Sequence, residues 1–461
     1  MARAMIGIGI ISLIVYIAVI LVINLVIKRK MGEAMLWSTL LLIIIAAVFG
    51  GQNGVELALD AVSYSAKQEV ILAGLIFVFM AYLMEQTGII GRLVNILNSL
   101  LGGLAGGSGY VATIGCALFG MVSGVASANT AAIGSVCIPW MKQTGWSKQN
   151  AAGIVAGNSG LGVCFPPSTT MLLVLAFEVV AAELTSGELY VGLMEVGLIV
   201  LAMRLLLVFF LARKEGLKPI PKDQRIPLGT ALKKNASALL LFLGIAIPLF
   251  ATMGVAGSWV SARLAATEGA FKSISIIVWI PVLISVIVII EGWKYLPHTV
   301  KGWVKLASNC CGRFDDLGGI LFGAFAASRV LNKIGLGDEL SAVFNQLGSY
   351  SPILVMLVIT LVVTAMVGPF NSTGTTTALG AASYTALRSI GLSPVAAAVV
   401  FCNLVSNQGC IPPNSSSIYI ACGIAGEDQP VRLFKDMVFL YALPEIAICL
   451  LMMFKIIPVF G

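Results

Sequence analysis

The sequence predicts an all-α polytopic membrane protein with two inverted repeats, each holding a re-entrant helical hairpin and a broken transmembrane helix. Three observations predict it. The 461 residues are 59% hydrophobic and 11% charged, against about 25% charged in a typical soluble chain. A polar, Gly-rich stretch, Asn158-Ser159-Gly160-Leu161-Gly162-Val163-Cys164-Phe165-Pro166-Pro167-Ser168, sits inside a long apolar region. A second copy, Ser406-Asn407-Gln408-Gly409-Cys410-Ile411-Pro412-Pro413-Asn414, follows 246 residues later, with Cys164, Pro166 and Pro167 falling on Cys410, Pro412 and Pro413. The same offset lays Ala132-Ile133-Gly134 on Ala378-Leu379-Gly380 and Gly145-Trp146-Ser147 on Gly391-Leu392-Ser393. Paired broken segments at membrane depth place a transport site between two repeats.

The net charge of +7 does not point to nucleic acid, because the basic residues lie in short loops between spans, the positive-inside pattern. Nine cysteines, most in apolar runs, read as small packing residues rather than a disulfide framework. His298 is the only histidine, and no metal-binding spacing of Cys or His occurs. The N-terminal apolar run is expected to be a retained first helix, not a signal peptide.

In chain order, 5–27 is long enough to span, and Lys28-Arg29-Lys30 puts its end in the cytoplasm and the N-terminus outside. Residues 35–49 return outward, 50–68 form an outside loop, and 69–86 come back in. Residues 88–101 carry Arg92, Asn95 and Asn98 among helically spaced apolar residues and read as an amphipathic helix along the membrane surface. Its counterpart is 332–347. The Gly-rich 102–109 follows no strand and reads as a flexible connection, not a phosphate loop. Residues 110–141 are interrupted at 123–130 by small polar residues, which breaks a helix in hydrocarbon unless the gap lines a cavity; a hairpin entering and leaving on one side fits. Residues 350–388 repeat this pattern with a gap at 368–377. The helix 149–182 is broken at 157–168, and 395–424 at 403–414. Spans are also expected at 189–212, 237–256, 274–291, 316–331 and 437–457. The basic loop 213–236 marks the cytoplasm. The first broken helix then runs outward and the second inward, so the copies are inverted.

The motifs Phe119-Gly120-Met121-Val122-Ser123-Gly124, Asn129-Thr130-Ala131-Ala132-Ile133-Gly134-Ser135, Ile138-Pro139-Trp140-Met141-Lys142 and Pro166-Pro167-Ser168 resemble the large membrane subunit of a TRAP (tripartite ATP-independent periplasmic) transporter, within the wider ion-transporter superfamily. The resemblance runs from about residue 69 to the end. Gly368-Pro369-Phe370-Asn371-Ser372-Thr373 and Ser406-Asn407-Gln408 also resemble the hairpin motifs of sodium–dicarboxylate carriers. The resemblance implies an elevator-type transporter in a bacterial cytoplasmic membrane, driven by a sodium gradient and importing small organic anions, typically carboxylates such as C4-dicarboxylates. It implies three protein or lipid partners: a soluble extracytoplasmic substrate-binding protein, a small four-helix membrane subunit, and membrane lipid around the helices. It divides the chain into N-terminal scaffold helices with a surface arm (1–104), a first transport repeat (105–212), a cytoplasmic loop, scaffold helices and second arm (213–349), and a second transport repeat (350–461). The alternative within the superfamily is a stand-alone homodimeric carrier or cation antiporter.

Sodium takes hard oxygen ligands, which a helix break supplies as freed carbonyls and Ser, Thr and Asn side chains. One ion is expected between the first tip (Ser123, Ser127, Asn129, Thr130) and the first break (Asn158, Ser159, Gly162). A second is expected between Asn371, Ser372, Thr373 and Thr375 and the break Ser406, Asn407 and Gln408. An anionic substrate is expected between the tips, on Ser127, Asn129, Pro166, Pro167, Ser168, Ser372, Thr373, Thr376, Pro412, Pro413 and Asn414, where helix N-termini favour negative charge. No arginine lies in either break, so binding is expected through dipoles, hydroxyls and co-bound sodium. The bland reading of one small-polar run is a packing seam; two in matched positions, each followed by a matched broken helix, favour a site.

Glu178, Glu195, Arg204, Glu291 and Glu445 lie in or near spans, outside the repeat motifs, and are expected to anchor at the interface or pair between helices. Asp315-Asp316 is expected to cap a helix N-terminus, and His298 to be solvated. An enzyme is excluded by inventory: the chain has no His-Glu-x-x-His, no Gly-x-Ser-x-Gly elbow and no membrane-depth aspartate pair.

Overall fold

A computed structural model of the chain describes residues 7–123, 126–219, 227–252, 257, 259–260, 262–263, 275–336, 338–339, 342, 351–412 and 415–460. The described residues are helical without a strand. The N-terminal half holds α1 (Ile8–Leu21), α2 (Met31–Phe49), α3 (Gly54–Ala66), α4 (Glu69–Thr87), α5 (Ile89–Leu101), α6 (Gly107–Ser123), α7 (Ala126–Gln143), α8 (Lys148–Asn158), α9 (Leu161–Cys164), α10 (Thr169–Leu175), α11 (Glu178–Ala181) and α12 (Ser186–Lys214). Then come α13 (Leu228–Asn235), α14 (Leu241–Thr252), α15 (Ile276–Glu291), α16 (Val300–Lys333), α17 (Pro352–Ser389), α18 (Pro394–Ser406), α19 (Ser416–Ala425), α20 (Val431–Asp436) and α21 (Leu443–Met453).

Five helical stretches among the described residues are long and apolar enough to cross a membrane: Gly32–Phe49, Glu69–Thr87, Ser186–Lys214, Leu228–Thr252 and Val431–Met453. Their outer faces expose large apolar side chains such as Trp37, Phe210 and Phe250. In a chain this apolar those faces meet lipid rather than water.

Two groups of helices pack together. In one, α16 packs on α2, α3 and α4, and α15 on α4 and α14. In the other, α6, α7, α8 and α9 gather with α18, α19 and α21. α6 and α7 pack as a hairpin, closed at its base by a 2.7 Å hydrogen bond between the Ser108 and Thr144 hydroxyls.

Four expectations are corrected. The stretch 50–68 is not an open loop: Asn53 accepts from the N–H groups of Val55 and Glu56 and starts α3, as an N-cap asparagine does. Asp315 and Asp316 do not begin a helix. They lie inside α16, which starts after Thr299, whose hydroxyl accepts from Gly302 N–H. The 368–377 gap does not interrupt secondary structure, because α17 is assigned helical from Pro352 to Ser389. Thr377 Oγ donates back to Thr373 O at 2.9 Å, which lets hydroxyl residues stay in a helix. α17 is 38 residues long, about 57 Å at 1.5 Å per residue, nearly twice the roughly 30 Å hydrocarbon layer. Finally, α6 already begins inside the Gly-rich 102–109 connection. Half of the second arm expected at 332–347 lies outside the described residues.

The two broken helices match their expected places. The first comprises α8, α9 and α10, with Phe165–Ser168 non-helical. The second comprises α18, a short turn at Asn407–Gly409, and α19. Both are the innermost parts of the molecule: Ala151 through Phe177 is buried without interruption, as is Ala397 through Cys410.

Candidate functional site

The two breaks cross each other backbone to backbone. A Cβ on Gly160 would lie 1.8 Å from Ser406 O, and one on Gly409 would lie 2.4 Å from Ser159 Oγ and 2.6 Å from Ala156 O. Only glycine permits an approach this close. Gly160 and Ser406 are 246 residues apart, the offset of the two motifs, so each faces its own counterpart. The first hairpin joins the same crossing, since a Cβ on Gly162 would lie 2.2 Å from Gly120 Cα of α6.

On the first side, Asn129 Nδ2 donates to Cys116 O and to Ser159 O, both at 2.8 Å. One carboxamide thus ties α6 and the first break to α7. Asn158 Nδ2 donates to Thr113 Oγ1 at 2.8 Å. Asn129 Oδ1 and Asn158 Oδ1 are buried with no hydrogen-bond partner. Thr130 Oγ1 donates to Ala126 O and Ser159 Oγ to Ala156 O, at 2.9 and 2.7 Å. Ser127 is half-buried in the first turn of α7. The side chain of Ser123 lies outside the described residues.

On the second side, Ser372 N–H donates to Gln408 Oε1 at 3.1 Å, linking α17 at the polar gap to the second break. Gln408 Nε2, Asn407 Oδ1, Thr375 Oγ1 and Thr376 Oγ1 are buried without partners. Ser406 Oγ lies 2.7 Å from Asn403 O and against the Glu445 carboxylate. The side chain of Asn371, and all of Pro413 and Asn414, lie outside the described residues.

Pro166 and Pro167 are buried before Ser168, whose hydroxyl accepts from Met171 N–H at 3.2 Å and caps α10. Pro412 is half-buried. Across the second break, Ser415 Oγ donates to Gly409 O at 3.1 Å, a closure that no motif spacing indicated.

The orphaned atoms sort by chemistry. Five are acceptor oxygens, and leaving each unpaired costs about 1–3 kcal/mol. Among the described residues no group of three His, Cys, Asp or Glu side chains converges. The available donor set is neutral, hard and oxygen-only, which fits a hard cation such as sodium rather than a transition metal. Gln408 Nε2 is the opposite, a buried donor lacking an acceptor.

Thr373, Thr169 and Ala128 line a cavity of about 790 Å³. It is walled by Phe77, Val78 and Met84 of α4 and by Leu317 and Ile320 of α16. That volume suits a small molecule, and the cavity separates the hairpin from the α4–α16 group.

The charged residues near spans are paired. Glu178 accepts from Arg329 Nη1 at 2.7 Å and from Asn332 Nδ2 at 2.6 Å. Arg329 Nε also donates to Asp60 at 2.8 Å and holds that carboxyl below its usual range. Arg388 donates to Glu183 at 2.8 Å and likewise lowers its pKa. Glu291 lies 3.6 Å from Arg92, and Glu195 accepts from Phe460 N–H at 2.9 Å. Arg204 and Glu445 form a fully buried ion pair. Arg204 lies in neither break; it comes from α12 to within 3.9 Å of Cys410 Sγ, and its pairing with Glu445 is the interhelical pairing expected of both residues. His298 is exposed, as expected.

An all-helical, lipid-facing chain whose innermost parts are crossed, polar helix breaks beside a small-molecule cavity is of the membrane-permease class. Residues 14–460 match the family model described as "Tripartite ATP-independent periplasmic transporter, DctM component", and the chain belongs to that family, whose members are transporter permeases and not enzymes. It is similar to the C4-dicarboxylate TRAP transporter large permease protein DctM of Rhodobacter capsulatus, 36% identical over 103 residues, 22% of this chain and 23% of that protein. It is similar to the sialic acid TRAP transporter permease protein SiaT of Haemophilus influenzae, 28% identical over 188 residues, 41% and 30%. A third relative is the ectoine TRAP transporter large permease protein TeaC of Halomonas elongata, 27% identical over 126 residues, 27% and 30%. The chain thus aligns with less than a third of the length of each of these three relatives. Two solved transporters share the fold at 14% identity. The YdaH transporter of Alcanivorax borkumensis has a TM-score of 0.62, covering 93% of this chain and 99% of that one. MtrF of Neisseria gonorrhoeae has a TM-score of 0.64, covering 99% and 96%.

Proposed function

We propose that this chain is the large permease subunit of a sodium-coupled secondary transporter that imports small organic anions, carboxylates first among them, by an elevator motion. The observation that carries the reading is the crossing of two polar helix breaks ringed by five partnerless buried oxygens. A bound sodium ion supplies the positive charge those oxygens lack and balances an anion beside them. Asn129 and Asn158 hold one ion position, and Thr375, Thr376 and Asn407 the other. Gln408 Nε2, a buried donor without an acceptor, donates in this reading to an anionic substrate that reaches the breaks. The relatives' names cover dicarboxylate, sialic acid and ectoine, so substrates differ within the family. That Gly160 meets its own counterpart Ser406 supports a two-fold relation between inverted repeats. The helices around α6–α10 and α17–α19 form the moving part, and α2–α4 with α14–α16 the fixed part. Substrate delivery by an extracytoplasmic binding protein and bracing by a small four-helix subunit complete the reading, with the N-terminus outside a bacterial cytoplasmic membrane.

The test is thermal unfolding of the purified chain against sodium, lithium and potassium. Saturable stabilisation by sodium, absent with potassium, is expected. An equal response to potassium refutes the coupling ion.

A further inference from the structure

The Arg204–Glu445 pair lies deeper than any other ion pair among the described residues, with 1% and 2% of the two side chains exposed. Neither residue lines the cavity, and neither hydrogen-bonds to the five partnerless oxygens of the breaks. Its contacts are with the backs of both breaks. Glu445 Oε1 takes the Ser406 hydroxyl at the end of α18 and lies 3.7 Å from Cys164 Sγ at the end of α9. Cys164 Sγ also reaches Asn403 Oδ1 of α18 at 3.0 Å. On the other half of the pair, Arg204 Nη2 reaches Cys410 Sγ at 3.9 Å. Cys410 Sγ donates back to Gly157 O of α8 at 3.2 Å. The guanidinium rests over the Tyr441 ring, 4.8 Å from its centroid.

One buried pair therefore holds Ser406 and Cys410, on the two sides of the second break. Through Cys164 and Gly157 it also holds the two sides of the first. Two charges taken this far from water are costly unless geometry compensates, and exchanging such a pair for apolar residues is often neutral for stability. Stability alone is a weak reason for its presence. The offset sharpens this: 246 residues before Glu445 stands Ile199, so the first repeat has no carboxylate at the matched position, and one clamp serves both breaks.

We propose that Arg204 and Glu445 are positioning residues for the ion sites. They fix the angle at which the breaks cross, acting through Ser406 and Cys410 rather than by contact with ion or substrate. Glu445 turns the Ser406 hydroxyl outward, which leaves the Ser406 carbonyl seated on Gly160 and orients the following Asn407 and Gln408. This inference rests on the sodium reading above.

The experiment is a titration of sodium-dependent thermal stabilisation in the purified full chain. Three variants are compared with the unaltered chain: Arg204→Met/Glu445→Leu, which strands no charge, Ser406→Ala, and the triple combination. The expected result is a half-saturating sodium concentration raised about tenfold in the double variant, the size of effect seen when outer-sphere partners of metal ligands are lost. Its sodium-free melting temperature stays close to that of the unaltered chain. Ser406→Ala alone raises the same concentration, and adding it to the double variant changes nothing further, because the two act on one contact. Unaltered half-saturation in either the double variant or Ser406→Ala overturns the inference while leaving sodium coupling intact. So does a full, additive effect of Ser406→Ala in the triple variant, which would make that hydroxyl a direct ligand. Absence of any sodium response in the unaltered chain overturns the sodium reading first, and this inference with it.

Discussion

Replacing Gly160 with alanine adds one methyl group at the crossing of the breaks. The new Cβ would sit 1.8 Å from Ser406 O, 1.6 Å short of the 3.4 Å at which ordinary contact begins. The obstructing atom is backbone, in a segment buried from Ala397 to Cys410, so no side-chain rotation relieves it. Overpacking of a core costs about 1–3 kcal/mol where side chains can yield; here the cost is about 3 kcal/mol or more. The same displacement spreads Ser159 from Gly409 and pulls Asn158 and Asn407 apart. Gly423→Ala is the control, because nothing lies within 4 Å of its added Cβ, and alanine in a helix is favoured over glycine by about 1 kcal/mol. Thermal unfolding in detergent, with and without sodium, reads both effects. Gly160→Ala is expected to melt several degrees lower and to lose the sodium response, while Gly423→Ala melts no lower than the unaltered chain. A Gly160→Ala protein with unaltered melting and half-saturation refutes the crossing as a close backbone contact.

Further outcomes are expected. Thr375→Val deletes a buried hydroxyl that has no partner, so the sodium-free melting temperature should rise, by the equivalent of about 1 kcal/mol, while sodium stabilisation weakens; a fall in sodium-free stability would make the hydroxyl structural. Asn129→Ala and Asn407→Ala should each abolish sodium-dependent uptake with membrane insertion intact, and uptake at the unaltered rate in either would strike that residue from the ion site. The Asp60 and Glu183 carboxyls are held below their usual values by Arg329 and Arg388. Their contribution is present above the unfolded carboxylate range and lost as pH falls through the lowered folded values. Melting temperature should therefore drop below about pH 4, less steeply in Arg329→Met, and equal slopes would remove Arg329 from the acid response. Eight of the nine cysteines are buried and Cys311 is exposed, so a maleimide should add once per native chain by mass spectrometry.

Much of this architecture was legible in residue order. Asn158–Ser168 and Ser406–Asn414 announced the broken helices because polar and Gly-rich runs interrupt apolar ones at a fixed offset. Ser123–Thr130 announced the hairpin tip for the same reason. α3 escaped notice because Gly54–Ala66 is only weakly apolar and its start depends on one side-chain cap, Asn53. The length of α16 was hidden because its first half, up to Arg313, is as basic and polar as a loop. Arg204 and Glu445 were each expected to anchor or to pair between helices, but which partner each takes was illegible, because they are 241 residues apart on helices whose own patterns are ordinary. Periodicity describes what a helix buries, not which distant helix meets it.

The contact between Gly160 and Ser406 also bears on how interchangeable the two halves are. Two identical half-chains, were they to pair about a two-fold axis here, would present the same residue from each side. Two serines would bring both side chains to the axis, and the free position at 160 would be lost. Here one half supplies the absent side chain and the other the backbone carbonyl that takes its place, with the Ser406 hydroxyl turned away into the Glu445 carboxylate. The halves have become complements, as a mortise and tenon are. Exchanging residues 157–168 for 403–414, or joining two copies of the second half, would put a serine at position 160 and drive its Cβ into the facing backbone carbonyl.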